Sequence, residues 1–373
     1  MIPEIAVAVS GGVDSLVAAD HLKRRYGNTI IGFHFVSGYE QTHHFSPQVE
    51  PSGFFLNTLR EPSPPLVFDP PHDHPIQHIA SLLDIPIKMV DCRDAFQKKV
   101  VDYFIHSYQT GETPNPCMVC NKSIKFGLLL DVVRQMGIPK FATGHYARIL
   151  EQDGISNIHK GIDPIKDQSY FLAFLKPDIL SRILLPLGDF TKRQVREFAA
   201  SKRLTPVSAK ESQDICFIPN NDYAGFIASQ PQFSANPGQI IDSQGKILGT
   251  HDGLHHFTIG QRRGINCPAA APYYVTKIDT ARNLLIVGFK EEVYKTRCHI
   301  NNMNWFIPIP PSPLKITAQI RYRHHPVEAV LFPAADDSSA ILRFTEPQAA
   351  VTPGQAAVCY MGDQIVAGGW IHE

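Results

Sequence analysis

The chain has 373 residues, more than one ordinary hydrophobic core accommodates, and reads as two or three domains. With 43% hydrophobic and 19% charged residues it is composed like a soluble globular protein, and no run is long and apolar enough to span a membrane. Lys plus Arg and Asp plus Glu both total 35, so the balanced charge gives no pointer to nucleic acid, although it leaves room for a local basic face.

The N-terminus runs straight into an apolar stretch, so no signal peptide is expected. Seven cysteines, an odd number at irregular spacings, fit a reducing cytoplasm and cysteines kept for chemistry rather than for structure. Ile5–Val9 reads as a strand buried on both faces. Ser10-Gly11-Gly12-Val13-Asp14-Ser15 follows, and Leu16, Ala19, Leu22 and Tyr26 then fall on one helical stripe. The six-residue motif therefore sits on a strand-to-helix turn. Gly11 and Gly12 let the backbone approach a ligand closely. The hydroxyls of Ser10 and Ser15, the unpaired amides of the first helical turn and the helix dipole form an anion pocket, whose expected ligand is a phosphate chain. The Gly-Lys-Ser/Thr of a Walker loop is missing, so that motif does not fit. An ordinary glycine-rich turn is the bland alternative, and the strand–turn–helix context weighs against it.

Thr29–Phe35 and Ile87–Asp91 are further strand candidates. Between them, residues 37–75 carry eight prolines and four histidines without any period, and read as a long loop or insertion. His72-Asp73-His74 is too small a set to argue for a metal, and a solvated loop is the better reading. Helical periodicity returns at Phe96, Val100, Val101, Phe104, Ile105 and Tyr108, and breaks at 111–116. Cys117-Met118-Val119-Cys120 then opens a helix running to a stop at Gly137. A thiol at a helix N-terminus is expected to have a lowered pKa and to be a better nucleophile. Half of a zinc site, or burial as a small hydrophobe, are the structural alternatives. Lys140–Thr143 is a short strand leading into Gly144-His145. Strands alternating with helices give a doubly wound, mostly parallel α/β sheet, with Ser10–Ser15 and Gly144-His145 beyond the carboxyl ends of its strands. Thr191 and Gln194 predict a capping box for a helix over 191–204. Cys216, between Ile215 and Phe217, would by itself read as core. From about Pro237 the texture is β-rich. The proline-rich stretch 305–313 reads as a connector, and 315–370 as a small all-β barrel or sandwich.

The turn at Ser10–Ser15 resembles the PP-loop of the ATP pyrophosphatases, which split ATP between its α and β phosphates and use the AMP to activate an oxygen for displacement. Taken together, SGGVDS, TPNPCMVCNKSIKFG (113–127), ATGHYAR (142–148), KDQSYFL (166–172), SQDICFI (212–218), FTIGQRRGI (257–265), QIRYRH (319–324), AVTPGQAAVCY (350–360) and a terminal GGWI resemble the tRNA-specific 2-thiouridylases, in the family's order and over most of the chain outside 37–75. The resemblance implies a PP-loop catalytic domain over 1–205, a central β-rich tRNA-binding domain over 206–295 and a C-terminal β-barrel over 296–373. It implies ATP with Mg²⁺, a tRNA presenting its wobble uridine, and a persulfide donor or relay protein as partners. The C-2 oxygen of that uridine would be adenylated and replaced by sulfur. Carried over by position, Cys120 matches the nucleophile and Cys216 the persulfide carrier, the two alternating through thiol–disulfide exchange. Ala8, Val9, Ser10, Gly11, Gly12, Val13, Asp14, Ser15, Phe35 and Gly144 match the ATP site. Asn115, Pro116, Cys117, His145, Lys166, Asp167, Gln168, Arg321, Tyr322 and Gln355 match tRNA contacts.

Two departures stand out. Many relatives carry Asp where this chain has Cys117, so Cys117, Cys120 and Cys216 are also candidate ligands of an iron–sulfur cluster, a route ranked below the persulfide one. Residues 37–75 are usually a shorter, more acidic segment, which bears on Phe35. Two other functions fit parts of the sequence: another PP-loop adenylating enzyme acting on a small molecule, and a non-catalytic tRNA-binding or sulfur-carrying protein. The first leaves the β-rich half idle, and the second does not account for the intact turn.

Overall fold

A computed structural model describes residues 3–40, 65–207 and 215–372. Its first half is built on β1 (Ile5–Ala8), α1 (Val13–Tyr26), β2 (Ile30–Val36), β3 (Val67–Phe68), α2 (Pro75–Leu83), β4 (Ile87–Asp91), helix α3 (93–109), helix α4 (116–135) and β5 (Lys140–Ala142). The hairpin β6 (Ala147–Gln152) and β7 (Ile155–Lys160), the short strand β8 (Ile183–Leu184) and α5 (Lys192–Ser201) complete it. The sheet order is β3-β4-β2-β1-β5-β8, parallel throughout except for the two-residue edge strand β3. Chain direction across the sheet reverses at β1, whose neighbours are β2 and β5. The crevice outside that reversal is where doubly wound sheets take their ligands. Buried side chains pack on both faces, with Leu16 and Leu22 of α1 and Val195 of α5 on one side and Phe104, Ile124 and Leu129 on the other. This explains why β1 carries no alternation of polar and apolar residues.

The expected helix ends are present. Thr191 and Gln194 form the capping box of α5, and Gly137 turns the chain after α4 at φ +75°. Most of the 37–75 segment lies outside the described residues. Its described end is ordered more than its composition suggests: β3 lies in it, and the His74 imidazole accepts from the Ile76 amide to cap α2. That contact gives His74 a structural task.

The second half begins with α6 (Tyr223–Ala228) and a four-stranded sheet of β9 (Gly238–Asp242), β10 (Ile247–His251), β11 (Tyr274–Asp279) and β12 (Leu284–Gly288), packed over Ile240, Phe257, Val275, Leu285 and Val287. Strands β13 (Tyr294–Trp305), β14 (Leu314–Gln319), β15 (Val327–Pro333), β16 (Ser339–Ala349), β17 (Ala356–Met361) and β18 (Gln364–Ile371) follow. Pairing of β13 with both β16 and β18 closes them into a six-stranded barrel, which leaves no sheet edge within it. The stretch 305–313 is therefore not a connector: Trp305 ends β13, and the prolines form the loop to β14 inside the barrel. The hairpin of β6 and β7 extends the barrel sheet from the first half, with His159 paired to Gln364.

Candidate active site

Gly12 is the N-cap of α1, and Gly11 takes φ +85°, a conformation that favours glycine. The Ser15 hydroxyl donates to the Gly12 carbonyl (2.8 Å) and accepts from the Ser10 amide (3.2 Å), so the turn is braced from within. Ala8 and Val9 lead into it, and the Val9 amide donates to the Phe33 carbonyl. Gly144 stands against the turn. A β-carbon there would lie 3.0 Å from the Asp14 carbonyl carbon and 3.2 Å from the Ser15 nitrogen, so the segment after β5 approaches α1 more closely than most side chains allow. Phe35 is half-buried on β2, against the core of the opposite face.

Asp14 is held by groups not singled out in the sequence. Lys192, at the start of α5, donates from Nζ to Asp14 Oδ1 (2.7 Å) and Oδ2 (2.9 Å). The Tyr146 hydroxyl donates to Oδ1 at 2.6 Å. The Lys192 side chain is only 7% exposed. A buried lysine beside this turn places fixed positive charge next to the glycine-rich backbone. Tyr146 belongs to the ATGHYAR stretch and Lys192 directly follows the Thr191 cap, but only the fold joins them to Asp14.

The thiols lie at the same carboxyl edge of the sheet. Asn115 caps α4, its Oδ1 accepting from the Met118 amide (3.3 Å), and Pro116 takes the first helical position. Cys117 is half-buried, Cys120 buried and Cys216 exposed, and all are free thiols. The lowered thiol pKa expected from the helix dipole is not found. Burial raises Cys117 to about 11 and Cys120 to about 12, because an apolar surround disfavours the thiolate. Cys216 is raised as well: part of the residue's surface reaches solvent, but the surrounding chain withdraws its sulfur from bulk water. Lys125 opposes the rise at all three thiols. It lies in a π-helical stretch, Asn121–Leu129, within α4. The wider winding changes the angular position of Lys125 relative to Cys120 from that in a regular α-helix. Cys92, the N-cap of α3, is a fourth neighbour: it is buried and raised to about 12, by burial first and then by charge on Asp91 and on Cys120.

The residues expected to meet tRNA divide into two groups. Arg321 is exposed, and Tyr322 packs on Phe171 with ring centroids 4.3 Å apart. Burial raises the Tyr322 pKa, and charge on Asp167 and Cys117 adds to it, so the barrel loop reaches the start of α4. Lys166 is half-buried beside Asp163. The others are engaged internally. Asp167 accepts from the Gly161 and Ser169 amides, and Gln168 accepts from the Tyr146 amide through Oε1. His145 is buried, hydrogen-bonded to the Thr143 hydroxyl at 2.7 Å, and held well below its usual pKa by burial and then by Lys125. A neutral imidazole brings no charge to an RNA strand, only a hydrogen-bond donor and acceptor. The Gln355 amide donates to the Thr113 and Pro114 carbonyls.

The fold and the turn define an α/β nucleotide-binding enzyme with two appended β domains. Family models agree in sequence: a tRNA methyl transferase HUP domain matches residues 69–220, a tRNA methyl transferase PRC-barrel domain 225–289 and an aminomethyltransferase β-barrel domain 295–371. A tRNA-specific 2-thiouridylase MnmA of Desulfosudis oleivorans is 44% identical over 371 residues, 99% of this chain and 95% of that protein. Proteins of the same name from Geotalea uraniireducens (99% of this chain, 95% of that protein) and Geobacter metallireducens (98% and 96%) are each 40% identical. The chain belongs to the tRNA-specific 2-thiouridylase family. Among the described residues, no helix is long and apolar enough to cross a membrane.

Proposed function

We infer that this chain is an ATP-dependent tRNA sulfurtransferase that replaces the C-2 oxygen of the wobble uridine with sulfur. The observation that carries the reading is the sharing of one sheet edge by an intact nucleotide turn and a set of thiols, in a chain similar end to end to named 2-thiouridylases. Residues 8–15, Phe35 and Gly144 take ATP, with Lys192 set towards the phosphates by Asp14. The uridine C-2 oxygen attacks the α-phosphorus and pyrophosphate leaves. The terminal sulfur of a Cys216 persulfide then attacks C-2 and AMP leaves, which joins base and Cys216 through a disulfide. The Cys120 thiolate attacks the Cys216 sulfur, releasing 2-thiouridine and leaving a Cys120–Cys216 disulfide that a thiol reductant reopens. The persulfide comes from a donor protein. Lys125 favours each thiolate in turn, and the exposure of Cys216 suits the carrier that must meet that donor.

Asn115, Pro116 and Cys117 lie where the base enters, and Arg321, Tyr322 and Lys166 suit the RNA strand. The chain divides at about 205 and 295 into catalytic, central and barrel domains, and works in the cytoplasm. Neither metal group fits the side chains well. Both Asp14 oxygens are engaged by Lys192, so Mg²⁺ has no free carboxylate in the turn and would travel on the phosphates. Among the described residues no three His, Cys, Asp or Glu side chains stand together as a metal site, so no step is assigned to a cluster. The test is nucleoside mass spectrometry of tRNA from a strain lacking the gene. Loss of 2-thiouridine, restored by the wild-type gene and not by Cys120→Ser, is expected. Unchanged 2-thiouridine contradicts the assignment.

A further inference from the structure

Loop 111–116 starts the helix that carries Cys117 and Cys120, and both β domains hold it. From the barrel, the Pro353 carbonyl accepts from the Thr113 amide (2.9 Å), and Gln355 Nε2 donates to the Thr113 (2.9 Å) and Pro114 (3.1 Å) carbonyls. Between them Gly354, at φ +85°, is pressed so close that a β-carbon would lie 2.9 Å from Glu112 Cβ and from the Thr113 oxygen. The Tyr170 hydroxyl, beside this loop, donates to the Ala356 carbonyl at 3.0 Å. From the central domain, Thr258 meets Thr113 hydroxyl to hydroxyl, and a β-carbon at Gly111 would touch Thr280 and Ile278. The next residue along the loop is Asn115, whose side chain caps the cysteine helix and whose amide donates to the Tyr103 hydroxyl.

We propose that Gln355 is a positioning residue for the Cys120 nucleophile: its amide fixes the Thr113–Pro114 backbone, and through the Asn115 cap it sets the start of the cysteine helix. Nε2 of Gln355 is directed at two successive carbonyls of the loop, which makes the barrel turn 353–355 a clamp on the start of the cysteine helix. The inference rests on the reading of Cys120 as nucleophile, and one measurement below is independent of that reading.

Gln355→Met keeps the length of the side chain and removes both donors. Expected is a roughly tenfold fall in single-turnover thiolation that saturating tRNA does not restore, larger than any change in tRNA affinity in filter binding. Gly354→Ala pushes on the same loop while leaving the Gln355 amide in place, and should show the same split. Iodoacetamide footprinting reads the clamp without any catalysis: alkylation of Cys120 should rise several-fold in Gln355→Met, while the barrel-core thiols Cys298 and Cys359 stay unreactive. The proposal is overturned by weakened tRNA binding with an unchanged saturated rate, which makes Gln355 an RNA contact, or by unchanged rate and unchanged footprint. A wild-type protein that makes no 2-thiouridine but whose Cys120 is still unmasked by Gln355→Met would refute the function and keep the clamp. If Gln355→Met does not fold, the Gly354→Ala pair of measurements decides alone.

Discussion

The nucleotide turn and the thiol pocket lie at one sheet edge and are built in opposite ways. The turn is contiguous, polar and braced by its own backbone, with one distant ion pair added. The pocket is assembled from α4, the Cys92 corner and the Cys216 segment, and its thiols are raised to about 11 and 12 at Cys117 and Cys120. A phosphate site can stand open because its ligand arrives charged and is recognised by fixed amides and cations. A sulfur relay gains from closure, since a thiolate exposed early meets oxidants and stray electrophiles. Burial therefore disfavours the Cys120 thiolate in the resting protein, and Lys125 opposes that effect.

The largest effect should come from breaking the pocket alone. Cys120→Ser or Cys216→Ser should lower thiolation by at least about a thousandfold and leave tRNA-dependent AMP release measurable. Cys117→Asp should keep substantial activity. Activity that tracks bound iron and disappears in Cys117→Ser would replace the persulfide route by a cluster.

Breaking the turn alone should be next. Asp14→Asn strips the counter-charge from Lys192, whose side chain is 7% exposed, and an uncompensated buried charge costs about 3 kcal/mol. A lower urea midpoint should accompany the loss of AMP release, and Lys192→Met should share the activity loss. Unchanged Cys120 footprinting in both variants would show the two regions to be separable. AMP release at the wild-type rate in Asp14→Asn would remove the turn from the chemistry.

The contrast sharpens with pH. With folded pKa values of about 11 and 12, the thiolate fractions of Cys117 and Cys120 rise about tenfold per pH unit across the neutral and mildly alkaline range. Alkylation in the resting protein should climb without a plateau up to pH ~9.5, and a plateau near neutrality would mean that Lys125 outweighs burial. The smallest effect belongs to the exposed barrel loop. Arg321→Ala should weaken every tRNA substrate alike and reduce the salt slope of binding by about one unit. An unchanged slope would take that loop off the RNA.

The sequence made the turn legible because all of its parts are local: an apolar strand, two glycines and a helical stripe. The parallel sheet and both β domains were legible for similar reasons. The Asp14–Lys192 pair was not, because 178 residues separate its members and only the packing of α5 on α1 joins them. Thiol pKa values misled in sign because the helix start was visible and the burial around it was not. The hairpin of β6 and β7 carries a local signal of its own: Asp153-Gly154, both at positive φ, between two alternating runs. The proline run at 305–313 is ambiguous, since prolines suit a barrel loop as well as a linker.

Single-turnover stoichiometry tests the central claim most directly. Protein preloaded with a persulfide on Cys216 is mixed with ATP and an unmodified tRNA transcript, without further sulfur donor, and products are counted by mass spectrometry. The account predicts one AMP, one pyrophosphate and one 2-thiouridine per loaded persulfide, with a Cys120–Cys216 disulfide left in the protein. AMP and pyrophosphate without 2-thiouridine, or 2-thiouridine formed by Cys120→Ser at the wild-type rate, would contradict it.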